Sequence, residues 1–142
     1  MLRYWLLVIG GALGTLARYG LNGVISEHQT KHYPVVAVFP LGTLVVNVSG
    51  CFAIGVIAAF SGPSSGRVWL KPEWRDFLMI GFCGGYTTFS SYGLQTLNLA
   101  RDGEWLAVTL NVVGSNVLGL VAVYLGWVCG RALQAKLHGG AL

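Results

Sequence analysis

The stretch GFCGGYTTFSSY, Gly81 to Tyr92, gathers glycines, threonines and serines inside a long apolar run. Glycine is a poor helix former, and Ser and Thr hydroxyls compete for the backbone, so this run predicts a helix broken in mid-course. In lipid the N–H and C=O groups freed by a break must find protein, water or an ion. Carbonyls freed along Gly84-Gly85-Tyr86-Thr87-Thr88 could ligate a small cation, and hard oxygen ligands suit Na⁺. A glycine-lined packing crossover without an ion is the competing reading.

Other residues share a chemical character with this stretch. Phe89 and Tyr92 lie three apart and project to similar helix faces. Aromatic ring edges are positive, so they can face an anion without carrying charge. Thr88, Ser90 and Ser91 offer hydroxyls on neighbouring faces. Thr43 and Asn47 stand at i and i+4 in an earlier apolar run, and Asn111 and Ser115 repeat that spacing in a later one. Each pair reads either as a donor ladder or as hydrogen-bonding glue between helices. Asn98 and Asn116 are further polar residues to which the sequence assigns no role. Arg18 is the one charge inside an apolar run, a functional group or a snorkelling side chain. Neutral donors, ring edges and one cation suit a small anion, and no carboxylate falls within any run to carry cations or protons.

The elements that position these groups follow from composition. Of 142 residues 54% are apolar and 10% charged, too little polar surface for a soluble globule. This excludes a soluble enzyme; GGALG lacks the βαβ setting and the lysine of a nucleotide-binding loop. Helices need about 20 apolar residues to cross a bilayer, and four runs meet this, at about 4–25, 35–60, 77–100 and 105–130. They predict a single all-α membrane domain over 1–142. MLRYWLLVIGG reads as a retained helix, because no small-residue cleavage site follows it. EHQTKHYP, SGPSSGRVWLKPEWRD and RDGE are the expected connections, with Pro63 to Gly66 irregular and His28, His32 and His138 outside the spans. Tryptophans 5, 69, 74, 105 and 127 fit interfacial belts.

The net charge of +4 comes from scattered bases and does not predict nucleic-acid binding. Arg3, Arg67, Lys71, Arg75, Arg131 and Lys136 fall on the side of the termini, and Lys31, Arg101 and Arg18 towards the other. That bias is weak and leaves insertion in both orientations open. Cys51, Cys83 and Cys129 lie in three different runs without metal-ligand spacing and read as small buried hydrophobes. Gly10xxxGly14, Ser115xxxGly119 and Gly126xxxGly130 supply small-residue packing faces. Self-association is expected, since one four-helix bundle has little room for a wet pathway.

GGALGTLARYGLN from Gly10, PLGTLVVNVSGCFAIG from Pro40 and GFCGGYTTFSSY from Gly81 resemble the CrcB/Fluc fluoride channel family, across all four runs. The resemblance implies an antiparallel, dual-topology homodimer in the inner (plasma) membrane, with two fluoride pathways and a central structural Na⁺. It implies Na⁺ ligation by the backbone carbonyls of Gly84 and Thr87 from both subunits. It places Phe89 on the first pore phenylalanine, Asn47 on the pore asparagine and Thr43 on the pathway threonine. Ser115 falls on the fourth-helix serine and Arg18 on the vestibule arginine.

Two positions depart from the family pattern. Tyr92 stands where a second phenylalanine is usual, and Asn111 where many members carry tyrosine, so the phenol has in effect moved between helices. The implied role is passive export of toxic fluoride past Arg18, Asn47, Thr43, Ser115, Asn111, Phe89 and Tyr92. The alternatives are a fluoride/proton antiporter, which needs a titratable pathway group, and a small multidrug-type exporter, which needs an intramembrane carboxylate. A non-transporting assembly subunit would have no use for a broken polar helix.

Overall fold

The computed structural model describes residues 1–34, 37–62 and 69–139, and the side chains of these up to Leu137. The expected start of the second span at Val35, the irregular stretch at 63–66 and Arg67 lie outside the described residues. Helix α1 spans Leu2–His32 and α2 spans Leu41–Ser61. The third pass is composite. It runs through α3 (Pro72–Asp76), a π-helical segment (Phe77–Cys83), α4 (Gly84–Tyr86) and α5 (Phe89–Arg101). The last helix, α6, is Trp105–Gly139.

The helices overrun the expected spans. The segment Glu27–His32, expected in a connection, continues α1, so the His28 and His32 rings meet at a tilt on its last turns, 4.4 Å between ring centroids. His138 likewise sits on the helical backbone of α6 rather than in a loop. At about 1.5 Å per residue, 31 and 35 residues exceed a hydrocarbon core about 30 Å thick. Spanning such a core, either helix would carry its polar ends to the membrane–water boundary. Trp74, exposed, falls on α3 instead of an irregular loop. Proline at the first position of α3 starts it, because the missing N–H costs nothing there. Gly103, with φ +78°, turns the chain from α5 into α6.

By length and composition, α2 and α6 can each cross a membrane. Only 28% and 17% of their most apolar windows are buried within the protomer, where the core helix of a soluble protein would be mostly buried. Leu106, Leu120, Trp105 and Tyr124 on α6 point outward. α1 has the length, but Arg18, Asn22 and its polar last turns dilute its apolar character. No single helix of the third pass is long enough alone.

Packing is by backbone approach rather than by large side chains. The buried apolar core is small: Val46, Ala59, Cys83, Leu99 and Ala122. α2 lies along α6, where a Cβ on Gly126 would meet the Phe52 carbonyl, and one on Gly55 the Val123 carbonyl. α1 lies along the π-helical segment and α4. There Gly10 and Gly14 face Gly81, Phe82 and Tyr86, and Gly85 faces the Gly11 backbone 2.5 Å from where its Cβ would stand. So Gly10xxxGly14 and Gly126xxxGly130 are packing faces, as the sequence predicts. Ser115xxxGly119 is looser, with Cys51 Sγ 3.5 Å from a Cβ at Gly119.

Gly14→Val should lower stability by about 1–3 kcal/mol, because the added carbons meet backbone that cannot yield. Gly23→Ala, in open space on the same helix, should be neutral or stabilising. Thermal aggregation of the detergent-solubilised pair measures the contrast.

Candidate anion-conducting site

The break in the third pass falls on Thr87 and Thr88, whose backbones are extended (ψ 159° and 111°). Gly84 and Gly85 remain helical, and Gly85 serves the close approach to α1. The two readings of the glycine-rich stretch therefore divide: crossover at Gly81 and Gly85, break at the threonines.

Asn47 holds the break. Its Oδ1 accepts from the Thr88 N–H at 2.8 Å and its Nδ2 donates to the Thr88 carbonyl at 3.1 Å. One side-chain amide thus pairs both polar groups of an extended residue, as a neighbouring strand would. α2 comes close enough because Gly50 lies directly against the Thr87 methyl and the Tyr86 ring. Thr88 then caps α5: its Oγ1 accepts from Ser91 N–H at 3.1 Å and donates to Ser91 Oγ at 3.0 Å. On the other flank the Thr87 N–H and Oγ1 both donate to the Cys83 carbonyl, each at 2.9 Å. Ser49 gives its proton to the α2 backbone, so the Tyr86 hydroxyl donates to Ser49 Oγ at 2.8 Å.

This pattern strips two carbonyls of their helical donors. In an unbroken helix the Thr88 N–H would bond the Gly84 carbonyl, and the Ser91 N–H the Thr87 carbonyl. The first goes to Asn47 and the second to Thr88 Oγ1. Gly84 and Thr87 both line one open cavity of about 320 Å³, together with Asn47, Thr88, Phe89, Tyr92, Ser115 and Asn116. The chemistry of that donor set, two carbonyl oxygens with uncommitted lone pairs, fits a hard cation such as Na⁺.

A second cavity, about 240 Å³, lies on the other side of Thr88 and is lined by Thr15, Arg18, Asn22, Thr43, Ser91 and Gln95. Arg18 is half-buried there and makes no ion pair among the described residues. Asn22, Thr43 and Gln95 also line a third cavity, about 400 Å³, which reaches Asn98 and Asp102 at the end of α5. The sequence-predicted residues therefore divide around Thr88, with Asn47, Phe89, Tyr92 and Ser115 on one side and Thr43, Ser91 and Arg18 on the other.

Two predicted residues are not brought in. Ser90 is exposed and touches Thr88 Oγ1 alone, at 3.3 Å. Asn111 is 2% exposed, donates to Thr96 Oγ1 at 2.8 Å and accepts from Ser115 Oγ at 3.4 Å. It joins α5 to α6 and lines none of the three cavities. Asn116, one residue beyond Ser115, lines the first of them. Gln95 was also missed; its Oε1 is buried without a hydrogen-bond partner among the described residues. A Gln within a long run free of charge, three residues after Tyr92, is the signal that marks it.

Phe89 is 82% exposed on the protomer, tilted 47° to Tyr92 with ring centroids 5.4 Å apart. One side of the cavity is thus walled by an aromatic side chain that the protomer itself does not cover.

Asn47→Ala removes both bonds to Thr88 and should cost about 2–3 kcal/mol. Thr88→Val removes only the cap side chain and should cost about 1 kcal/mol. Thermal melts of the purified variants give the order.

Residues 5–127 match the family described as CrcB-like protein, Camphor Resistance (CrcB). A relative in Paramagnetospirillum magneticum is 52% identical over 94% of this chain and 99% of its own length. One in Opitutus terrae is 47% identical over 93% and 95%, and one in Pyrococcus abyssi 41% over 89% and 94%. Each of the three bears the name fluoride-specific ion channel FluC. With residues 5–127 of 142 matched and relatives so similar along nearly their full lengths, the chain belongs to the CrcB family.

Proposed function

We propose that this protein is a fluoride-selective channel that passively exports fluoride across the cell membrane. The observation that carries the reading is the pair of cavities meeting at Thr88. They are lined by hydroxyls, amides and the rings of Phe89 and Tyr92, with Arg18 in one and no carboxylate in either. The names of the full-length relatives support the same ion.

Four passes form one membrane domain over residues 1–142. Two antiparallel copies make the working unit, a reading supported by the uncovered Phe89 and the weak bias of the bases. Gly84 and Thr87 of both copies would hold a Na⁺ through their carbonyls. When bound, that ion supplies positive charge that ties broken helices together.

Fluoride approaches Arg18, whose charge raises the local anion concentration. It exchanges water for the polar lining of Thr43, Ser91 and Gln95, crosses at Thr88, and meets the second amide hydrogen of Asn47. Ring edges of Phe89 and Tyr92 then face it. Several weak contacts allow entry without trapping. The interior-negative potential drives the anion outward by about 2.3 kcal/mol per charge for each 100 mV. Chloride, larger and a poorer hydrogen-bond acceptor, gains less from such a lining.

Liposomes loaded with fluoride, the purified protein, and K⁺ with valinomycin to set the voltage provide the test. Fast fluoride release at an electrode without chloride release is the expected result. Release that requires a proton gradient would replace the channel with an antiporter, and no release from folded protein would refute both. Replacing Na⁺ by K⁺ should lower the melting temperature of the dimer; an unchanged melt would remove the ion from the reading.

A further inference from the structure

The hydroxyls that line the cavity beside Phe89 are unequal as donors. Thr87 gives its proton to the Cys83 carbonyl, Thr88 to Ser91 Oγ and Ser115 to Asn111 Oδ1. Tyr92 differs. Its hydroxyl makes one hydrogen bond among the described residues, to Asn116 Nδ2 at 3.3 Å. The same nitrogen lies 2.7 Å from the Val112 carbonyl. A carbonyl can only accept, so that contact fixes which end of the Asn116 amide is nitrogen. Both amide hydrogens are then committed, one to Val112 and one to Tyr92. The phenol oxygen is the acceptor in this pair, and its own proton is left over. A phenol that accepts one hydrogen bond donates a stronger one.

We propose that Tyr92 is a specificity-determining donor to the permeating anion, with its O–H held towards the cavity by Asn116. The assignment rests on the channel reading and names the group that distinguishes fluoride at this point. A small, hard anion accepts the strongest O–H bond, so the phenol favours fluoride over chloride where Phe89 alone offers only a ring edge. Asn116 is a positioning residue that acts through the phenol.

The test uses the full-length protein in liposomes, with fluoride and chloride fluxes measured for wild type, Tyr92→Phe, Asn116→Ala and the double variant. Tyr92→Phe should lower fluoride flux about tenfold, the worth of one bond to a charged partner, and raise the half-saturating fluoride concentration. Asn116→Ala should lower it about threefold in the wild-type background and leave the Tyr92→Phe background unchanged. Asn116 is exposed on α6, so its variant retains the fold even where Tyr92→Phe does not. A Tyr92→Phe flux within twofold of wild type, or an Asn116→Ala loss of equal size in both backgrounds, would overturn the assignment. Wild-type protein that releases no fluoride would overturn the channel reading, and this assignment with it.

Discussion

The structure depends on one side-chain amide standing in for backbone. Extended residues in the middle of a membrane helix leave N–H and C=O groups that lipid cannot satisfy. Asn47 meets both groups of Thr88 at once. Asn has a donor and an acceptor on one planar head, as a peptide has. Asp would lack the donor and Ser the reach. Because Asn47 takes the Thr88 N–H, the Gly84 carbonyl is released, and because Thr88 caps α5, the Thr87 carbonyl is released with it. The brace and the release of these two carbonyls are two sides of one substitution of partners.

The glycines make that geometry reachable. Gly50 brings α2 against the break, while Gly10, Gly14 and Gly85 bring α1 against the helix just before it. The first half of the third pass is thus clamped between α1, at backbone contact, and α2, which Gly50 brings against the Tyr86 and Thr87 side chains. The second half, α5, is joined to α6 mainly through polar bonds, such as Asn111 to Thr96 and Asn116 to Tyr92. The cavities occupy the space left where the clamp ends and the polar seam begins.

Much of this was legible in the sequence, for reasons that can be separated. The hydrophobic runs located the helices because hydrocarbon thickness sets the length of an apolar run, and the break was visible because Gly, Ser and Thr cluster where a helix needs none of them. Where within Gly84 to Thr88 the break falls was not visible. Gly84 and Gly85 have the lowest helix propensity in the stretch, yet tertiary packing against α1 keeps them helical. Asn111 and Ser115, read either as a donor ladder or as glue between helices, bond to each other at 3.4 Å while Asn111 also reaches Thr96 on α5. What spacing could not say was which rung faces the cavity. Adjacent residues on a helix differ by about 100°, so whether Ser115 or Asn116 faces a cavity depends on a rotation that only packing decides. The helix ends were underestimated because polar residues past the hydrocarbon, such as Glu27 to His32, continue a helix as readily as they leave it.

The composite third pass has a consequence for how the protein is made. α5 has 13 residues, about 20 Å of helix, and cannot by itself bridge a core about 30 Å thick. The π-helical segment and α4 before it are shorter still. The pass becomes a membrane-compatible unit only when α2 already stands beside it with Asn47 in place. The settling of this segment in lipid is therefore coupled to the presence of α2, and a lesion at the brace would act on the assembly of the helices before it acts on any ion.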